Sequence, residues 1–252
     1  MKKYFVLLLA VFLLQILFSF KKIIFRRGKV YYYETFFILP NCDTLAIEKV
    51  TWTPKGLPWL FQMRQQTAVT FNYIPDSLRT VNFLLPITKK NKLNEARKNE
   101  YEQNGQKWVG RWDVKNYVGA IDNKYELWIH PIRNDHFIYT EIAPFPCVEK
   151  QLLYKDSTWN SHMWYSSGYG EFSGESEELY TVKGETNYVY KNFILDSCWQ
   201  INAVGHHSKR GLNFHNFKYH PEHGFIEMKY TFYDGTRIDF YMYKVTDKKH
   251  KE

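Results

Sequence analysis

Seventeen residues near the N-terminus, Tyr4 to Phe20, read YFVLLLAVFLLQILFSF, with Gln15 and Ser19 the only clearly polar members. As a helix this run spans roughly 25 Å, at the short end of what crosses a bilayer. A segment apolar on every side, placed at the start of a chain, belongs in lipid rather than in a folded core. Whatever follows it is therefore a domain delivered to, or held at, a membrane.

The fate of the run is less constrained than its nature. A cleavable leader has an apolar region of about 7–15 residues followed by a small-x-small site. Here Phe18, Ser19, Phe20 and Lys21 follow, and the first cysteine, Cys42, lies too far along to receive a lipid. An uncleaved anchor is the first expectation and a processed signal peptide the second. Lys2 and Lys3 precede the run, but five basic residues follow it between Lys21 and Lys29. A charge count alone would keep that flank, and the domain behind it, cytoplasmic, although large domains are translocated regardless of such charges.

The same flank explains the net charge of +8. Residues 1–29 hold Lys2, Lys3, Lys21, Lys22, Arg26, Arg27 and Lys29 and no acid; the remainder has 27 basic against 26 acidic residues. A nearly neutral body lacks the electrostatic footprint of a phosphate-backbone binder, so no nucleic-acid partner is expected. Residues 1–29 are assigned as a signal or anchor segment with a basic flank, and residues 30–252 as one β-rich domain. No internal repeat or low-complexity linker divides that domain.

Aromatic residues make up 19% of the chain, with 20 Tyr and 19 Phe, and such residues favour strands. Lys29 to Pro40 (KVYYYETFFILP) is expected as the first strand, followed by short extended pieces such as Ala68–Tyr73 and Thr80–Leu85. Lys89 to Asn104 is a charged, glycine-free stretch expected to form a surface helix that ends before Gly105. Alternating patterns then recur over Trp108–Lys115, Tyr125–His130, His136–Ile142, Thr186–Ile194 and Cys198–Val204. Near the C-terminus, a three-residue loop, Tyr233-Asp234-Gly235, pairs Tyr230 with Ile238 and Met228 with Phe240. A two-residue loop would throw the two apolar sets onto opposite faces of the sheet. The longer loop also places Gly235 at the left-handed position of a G1 bulge. The expected fold is mainly β: a curved antiparallel sheet or partial barrel with one or two helices, plus the N-terminal hydrophobic helix.

Motifs that carry chemistry are sparse. No GxSxG elbow, Walker loop, GxGxxG or calcium loop occurs. Cys42, Cys147 and Cys198 form no CxxC pair, leaving one disulfide plus a free thiol, or three free thiols, both open. The stretch Leu127–Pro146 holds His130, Arg133 and Asp135, which could grip an anionic ligand or perform acid–base work; a structural turn is the plainer account. Trp159 to Gly174 interleaves aromatics, including Trp159 and Trp164, with Gly and Ser, as a binding surface for a glycan, lipid or partner protein would. Packing of its own rings is the plainer account there. His220 and His223 bracket a Pro-Glu turn and are weak metal candidates, and no cofactor is expected.

Several of these segments together resemble a family of exported, β-rich envelope proteins of unassigned function from Gram-negative bacteria. The resemblance rests on Trp128-Ile129-His130-Pro131-Ile132-Arg133, Pro144-Phe145-Pro146, Cys198-Trp199 and Gly224-Phe225…Tyr230…Asp234-Gly235. The family's first motif tends to W-x-H-P-P-R, and Ile132 replaces its second proline. The family implies a cell-envelope location and a β-sheet architecture, and no activity. The expected function is non-catalytic binding of an apolar or glycan-like ligand such as a lipid by a membrane-targeted domain. A structural or partner-binding envelope protein is the alternative. An envelope hydrolase comes third, since it needs His130, Arg133, Asp135 and a second acid to converge in a cleft.

Overall fold

The computed structural model describes residues 23–58, 67–75, 116–132, 135–166 and 172–247. Along β1 (Lys29–Ile38), Tyr31, Tyr33, Thr35 and Phe37 are buried while Tyr32, Glu34 and Phe36 are half-exposed, the two-residue period of a strand with one face on a core. Eleven further strands follow: β2 (Thr44–Pro58), β3 (Thr67–Pro75), β4 (Asn116–Asp122), β5 (Glu126–Ile129), β6 (Cys147–Glu149), β7 (Thr158–Tyr165), β8 (Gly174–Tyr190), β9 (Phe193–His207), β10 (Gly211–His220), β11 (Gly224–Thr231) and β12 (Arg237–Asp247). All join one sheet in the order β6-β5-β4-β3-β2-β1-β12-β11-β10-β9-β8-β7, and every pairing is antiparallel.

That order forces curvature. The first and last strands meet at the centre, and the two edge strands, β6 and β7, are neighbours in the chain. Twelve flat strands would separate the edges by about 50 Å. The eight residues from Lys150 to Ser157 reach no more than about 29 Å. The sheet therefore curls into a nearly closed, barrel-like form whose concave face carries one continuous core. Trp159 of β7 stacks on Tyr180 of β8 at 5.2 Å, and the Tyr180 hydroxyl reaches the Phe145 carbonyl just ahead of β6, a side-chain link across the interior; β6 and β7 themselves do not pair.

The C-terminal hairpin has the expected register: Tyr230 faces Ile238 and Met228 faces Phe240. Phe232 N–H donates to the Thr236 carbonyl, and Gly235 sits at φ +83°. Two expected strands take other forms. His136–Ile142 is not extended; residues Asp135–Ile142 form a 3-10 helix. This segment crosses the concave face, with Phe137 against Phe240 and Tyr139 between Phe172 and Phe232. Thr186–Ile194 is not one strand; β8 ends at Tyr190 and β9 starts at Phe193, with Lys191 at φ +53° in the turn.

The tip of this β8–β9 hairpin is an arm laid over the outer face of β1 and β12. Two register irregularities, at Val182/Gly184 and Thr186/Tyr188, together with Gly184 at φ +126°, bend it there. Tyr190 stacks on Tyr241 at 4.8 Å, and the Lys191 ammonium lies 2.8 Å from the Glu34 carboxylate. Lys191 thus accepts an unfavourable backbone angle where its side chain gains a partner.

Helical turns among the described residues are of the 3-10 type, and none is long and apolar enough to cross a membrane. The expected helices over 4–20 and 89–104, and the expected strands over 80–85 and 108–115, lie outside the described residues. Ile24 and Phe25 are buried in the core, and both their N–H groups donate to the Asp122 carboxylate. The start of the described chain is thereby tied to β4.

Candidate functional site

Of the segments quoted for the resemblance, His130, Pro144-Phe145-Pro146 and Tyr230 meet inside the barrel, where they pack rather than open a cleft, while Asp234 and Gly235 lie exposed in the β11–β12 turn. His130 follows β5 and is buried. Its Nδ1 lies 2.8 Å from the Pro131 carbonyl, so that nitrogen carries the proton. Nε2 faces the buried Glu141 carboxylate at 3.6 Å, beyond hydrogen-bond range. Phe145 meets the ring edge-on at 4.9 Å, and Trp128 at 5.9 Å. Thr140, the nearby hydroxyl, donates to the Phe137 carbonyl at 2.7 Å. The cavity beside His130, lined by Trp52, Phe71, Ile132 and Tyr230 among others, measures about 10 Å³. It has room for a single water, and no substrate fits.

Pro144-Phe145-Pro146 is held against the inner face by two side chains. His215 of β10 donates from Nδ1 to the Pro144 carbonyl at 2.8 Å, and the Tyr180 hydroxyl lies 2.9 Å from the Phe145 carbonyl. His215 is wholly buried and stacks on Tyr230 at 3.9 Å. Burial pushes its pKa down to about 3, so it is a neutral donor at physiological pH. Small residues on β9 make the approach feasible: Ala203 pairs with both Tyr180 and His215, and a Cβ at Gly205 would meet Pro144 at 3.0 Å.

Beside this latch sits a buried carboxyl. Glu178 occupies the inward phase of β8 between Ser176 and Tyr180, and its Oε2 lies 2.9 Å from the Tyr180 hydroxyl. Burial pushes its pKa up to about 7, against smaller opposing effects from Tyr180 and Ser161. A tyrosine hydroxyl has one proton. If Tyr180 gives it to Phe145, Glu178 must itself be protonated to bond Tyr180. With that proton donated to Phe145, Glu178–Tyr180–Phe145 forms a tie in which the acid is neutral, the form that burial already favours.

Of the expected site residues, His130 is buried in the core, and the two tryptophans are not brought together. Arg133 lies outside the described residues, and Asp135 is described only as the backbone start of the 3-10 helix. Trp159 and Trp164 are on opposite faces of β7: Trp159 is buried against Tyr180, while Trp164 points outward, 70% exposed. An odd separation of five residues along a strand requires that result. His220 and His223 do lie together, ring centroids 4.8 Å apart. His220 Nδ1 accepts from the Glu222 N–H, and no group of three or more metal-binding side chains occurs among the described residues. Cys147 and Cys198 are free and buried; burial raises both thiols, Cys198 to about 11, so neither is poised for chemistry.

No sequence motif points to Glu178, Tyr180, Gly205 or His215, although the strand pattern marks one of them. Ser176, Glu178, Tyr180 and Val182 share one phase of an alternating strand, and a carboxyl in the apolar phase marks an unusual site.

No family model matches the chain, and no curated protein matches it. Among solved structures, it is similar to a candidate exported protein with a YmcC-like fold from Bacteroides fragilis, at 4% identity and a TM-score of 0.43, covering 88% of this chain and 97% of that one. It is also similar to a candidate lipoprotein from Parabacteroides distasonis, at 7% identity and a TM-score of 0.40, covering 89% and 99%. With TM-scores below 0.5, neither likeness carries a property of those proteins over to this chain.

Proposed function

We propose that this chain is a non-catalytic, exported cell-envelope protein, attached through residues 4–20, whose barrel exterior binds a protein partner. One observation carries the reading. Leu179 of β8, Val204 of β9 and Phe214 of β10 are direct cross-strand neighbours on the outer face, with Leu212 beside Phe214. They are 46%, 38%, 38% and 50% exposed. The arm of β8 and β9 covers the outer face over β1 and β12 but leaves this stripe bare. Its borders are polar, with Asn160, Glu177, His206, Asn202 and Asn216 around it. A contiguous apolar stripe with a polar rim is the signature of an interaction surface rather than of scattered exposure. The envelope location follows from the apolar segment and from the resemblance of the sequence motifs.

The second reading, a carrier for an apolar or glycan-like ligand such as a lipid, draws support from the barrel-like closure of the sheet. It weighs less because residues 129–132 and 135–146 pack against the concave face that a ligand would occupy. Native mass spectrometry on the detergent-purified protein separates the two. A mass of polypeptide alone, with no retained ligand, is expected; a lipid or glycan retained at one per chain through detergent exchange would establish the carrier and overturn our reading.

A further inference from the structure

We infer that the free edge of β7 pairs antiparallel with the β7 of a second copy of this chain. This edge is a different surface from the apolar stripe, and the inference stands without it. β7 is the last strand of the sheet, and among the described residues no strand pairs with its far side. It runs eight residues, TWNSHMWY, against β8 without a bulge, and holds no Asp, Glu, Lys, Arg or Pro. Natural sheets guard their edges with charges, proline, bulges or extreme shortness. The opposite edge, β6, has that protection: it is three residues long and follows Pro146. β7 has none of it, as expected of an edge meant to be paired.

The geometry sets the register. The Val182 N–H donates to the Ser157 carbonyl, so residues 157 and 182 are a bonded pair. Bonded and non-bonded pairs alternate in an antiparallel ladder. Trp159, Ser161, Met163 and Tyr165 therefore bond to β8, while the N–H and C=O groups of Thr158, Asn160, His162 and Trp164 point off the edge. An antiparallel partner must oppose members of that second set to each other. A two-fold axis at Ser161 does this along the whole strand, placing Asn160 opposite His162 of the second copy and Thr158 opposite Trp164. Thr158, Asn160 and Trp164 carry no charge, and the His162 ring lies 3.1 Å from Glu175 of its own chain. Neither opposed pair, Asn160 with His162 or Thr158 with Trp164, brings two like charges together. Trp164, now 70% exposed, gains a neighbouring strand. Closed two-fold pairs are also the commonest form of self-association.

Sedimentation velocity on the full chain in density-matched detergent, under reducing conditions because Cys42 is exposed, tests this. The wild type is expected to sediment as a dimer. The double variant Asn160→Lys, His162→Lys sets the introduced lysines of one copy directly against those of the other, and the dissociation constant is expected to rise about tenfold or more. In Asn160→Lys, His162→Glu, opposite charges face each other and the dimer is expected to return. Both positions are exposed, and unchanged melting temperatures would confirm that folding is intact. A monomeric wild type, or a dimer indifferent to both variants, would overturn the inference without touching the stripe.

Discussion

Gly205→Val lowers the stability of the barrel by about 2–3 kcal/mol, which in a domain of this size lowers Tm by roughly 4–12 °C. The glycine is at an ordinary strand position, so backbone freedom is not the reason for it. The reason is space. A Cβ there would meet two Pro144 ring atoms at 3.0 Å and Ser176 Oγ at 3.2 Å. Pro144 cannot retreat freely, because its carbonyl is held by His215 and the next carbonyl by Tyr180. Gly205→Ala tests the same contact more gently and should cost less than half as much. Val204 next door, facing outward, serves as the control: Val204→Ala should change Tm little. Thermal unfolding followed by near-ultraviolet circular dichroism measures all three.

The second large effect is on pH dependence, through Glu178. Its carboxyl has a pKa of about 7 in the fold, above the ordinary value of 4.5 it regains on unfolding. Between those values the native state binds more protons than the unfolded chain, so this group's contribution falls as pH rises from about 4.5 to about 7 and then levels off. Each pKa unit corresponds to about 1.4 kcal/mol, which bounds the loss at roughly 3 kcal/mol. His215 acts oppositely: its folded pKa of about 3 lies below the ordinary 6.5, so its contribution is complete above 6.5 and is lost as pH falls toward 3. The two overlap in the wild type and are separated by difference. Glu178→Gln keeps the shape without the titration, while His215 remains in both proteins. The stability of the glutamine variant relative to wild type should therefore rise by about 2–3 kcal/mol between about pH 5 and pH 8, measured by urea unfolding. A difference independent of pH would mean that Glu178 titrates normally and that the tie to Phe145 does not depend on a neutral acid.

Sequence patterns resolve the elements whose partners are close in the chain. The β11–β12 register is legible because only one loop length puts Ile226, Met228 and Tyr230 on the same face as Ile238 and Phe240. β1 is legible because its aromatic residues alternate. The 135–146 segment is not, because a stretch packed on several sides has no period. His130 and Asp135 look like a polar loop when their neighbours Phe137, Ile142 and Phe145 are taken as flanks rather than as the part that sinks into the core. The groups that hold the segment are far away in sequence: Tyr180 is 35 residues from Phe145, and His215 is 71 from Pro144. The Lys191-Asn192 turn lacks glycine and proline, and the ammonium–carboxylate contact that favours it comes from Glu34, on the other side of the chain. Barrel-like curvature, by contrast, was within reach in kind, since an antiparallel meander with so many aromatic residues needs a concave face to bury them.

Function on the exterior of the barrel, exercised through a protein partner, is open to direct capture. The most direct measurement places a photo-activated benzoylphenylalanine at Leu212, in the full chain expressed in living cells, and analyses what it captures on irradiation. A discrete protein adduct that disappears when Phe214→Lys is introduced alongside is the predicted result. Adducts with lipid or glycan alone, or none, would contradict the assignment.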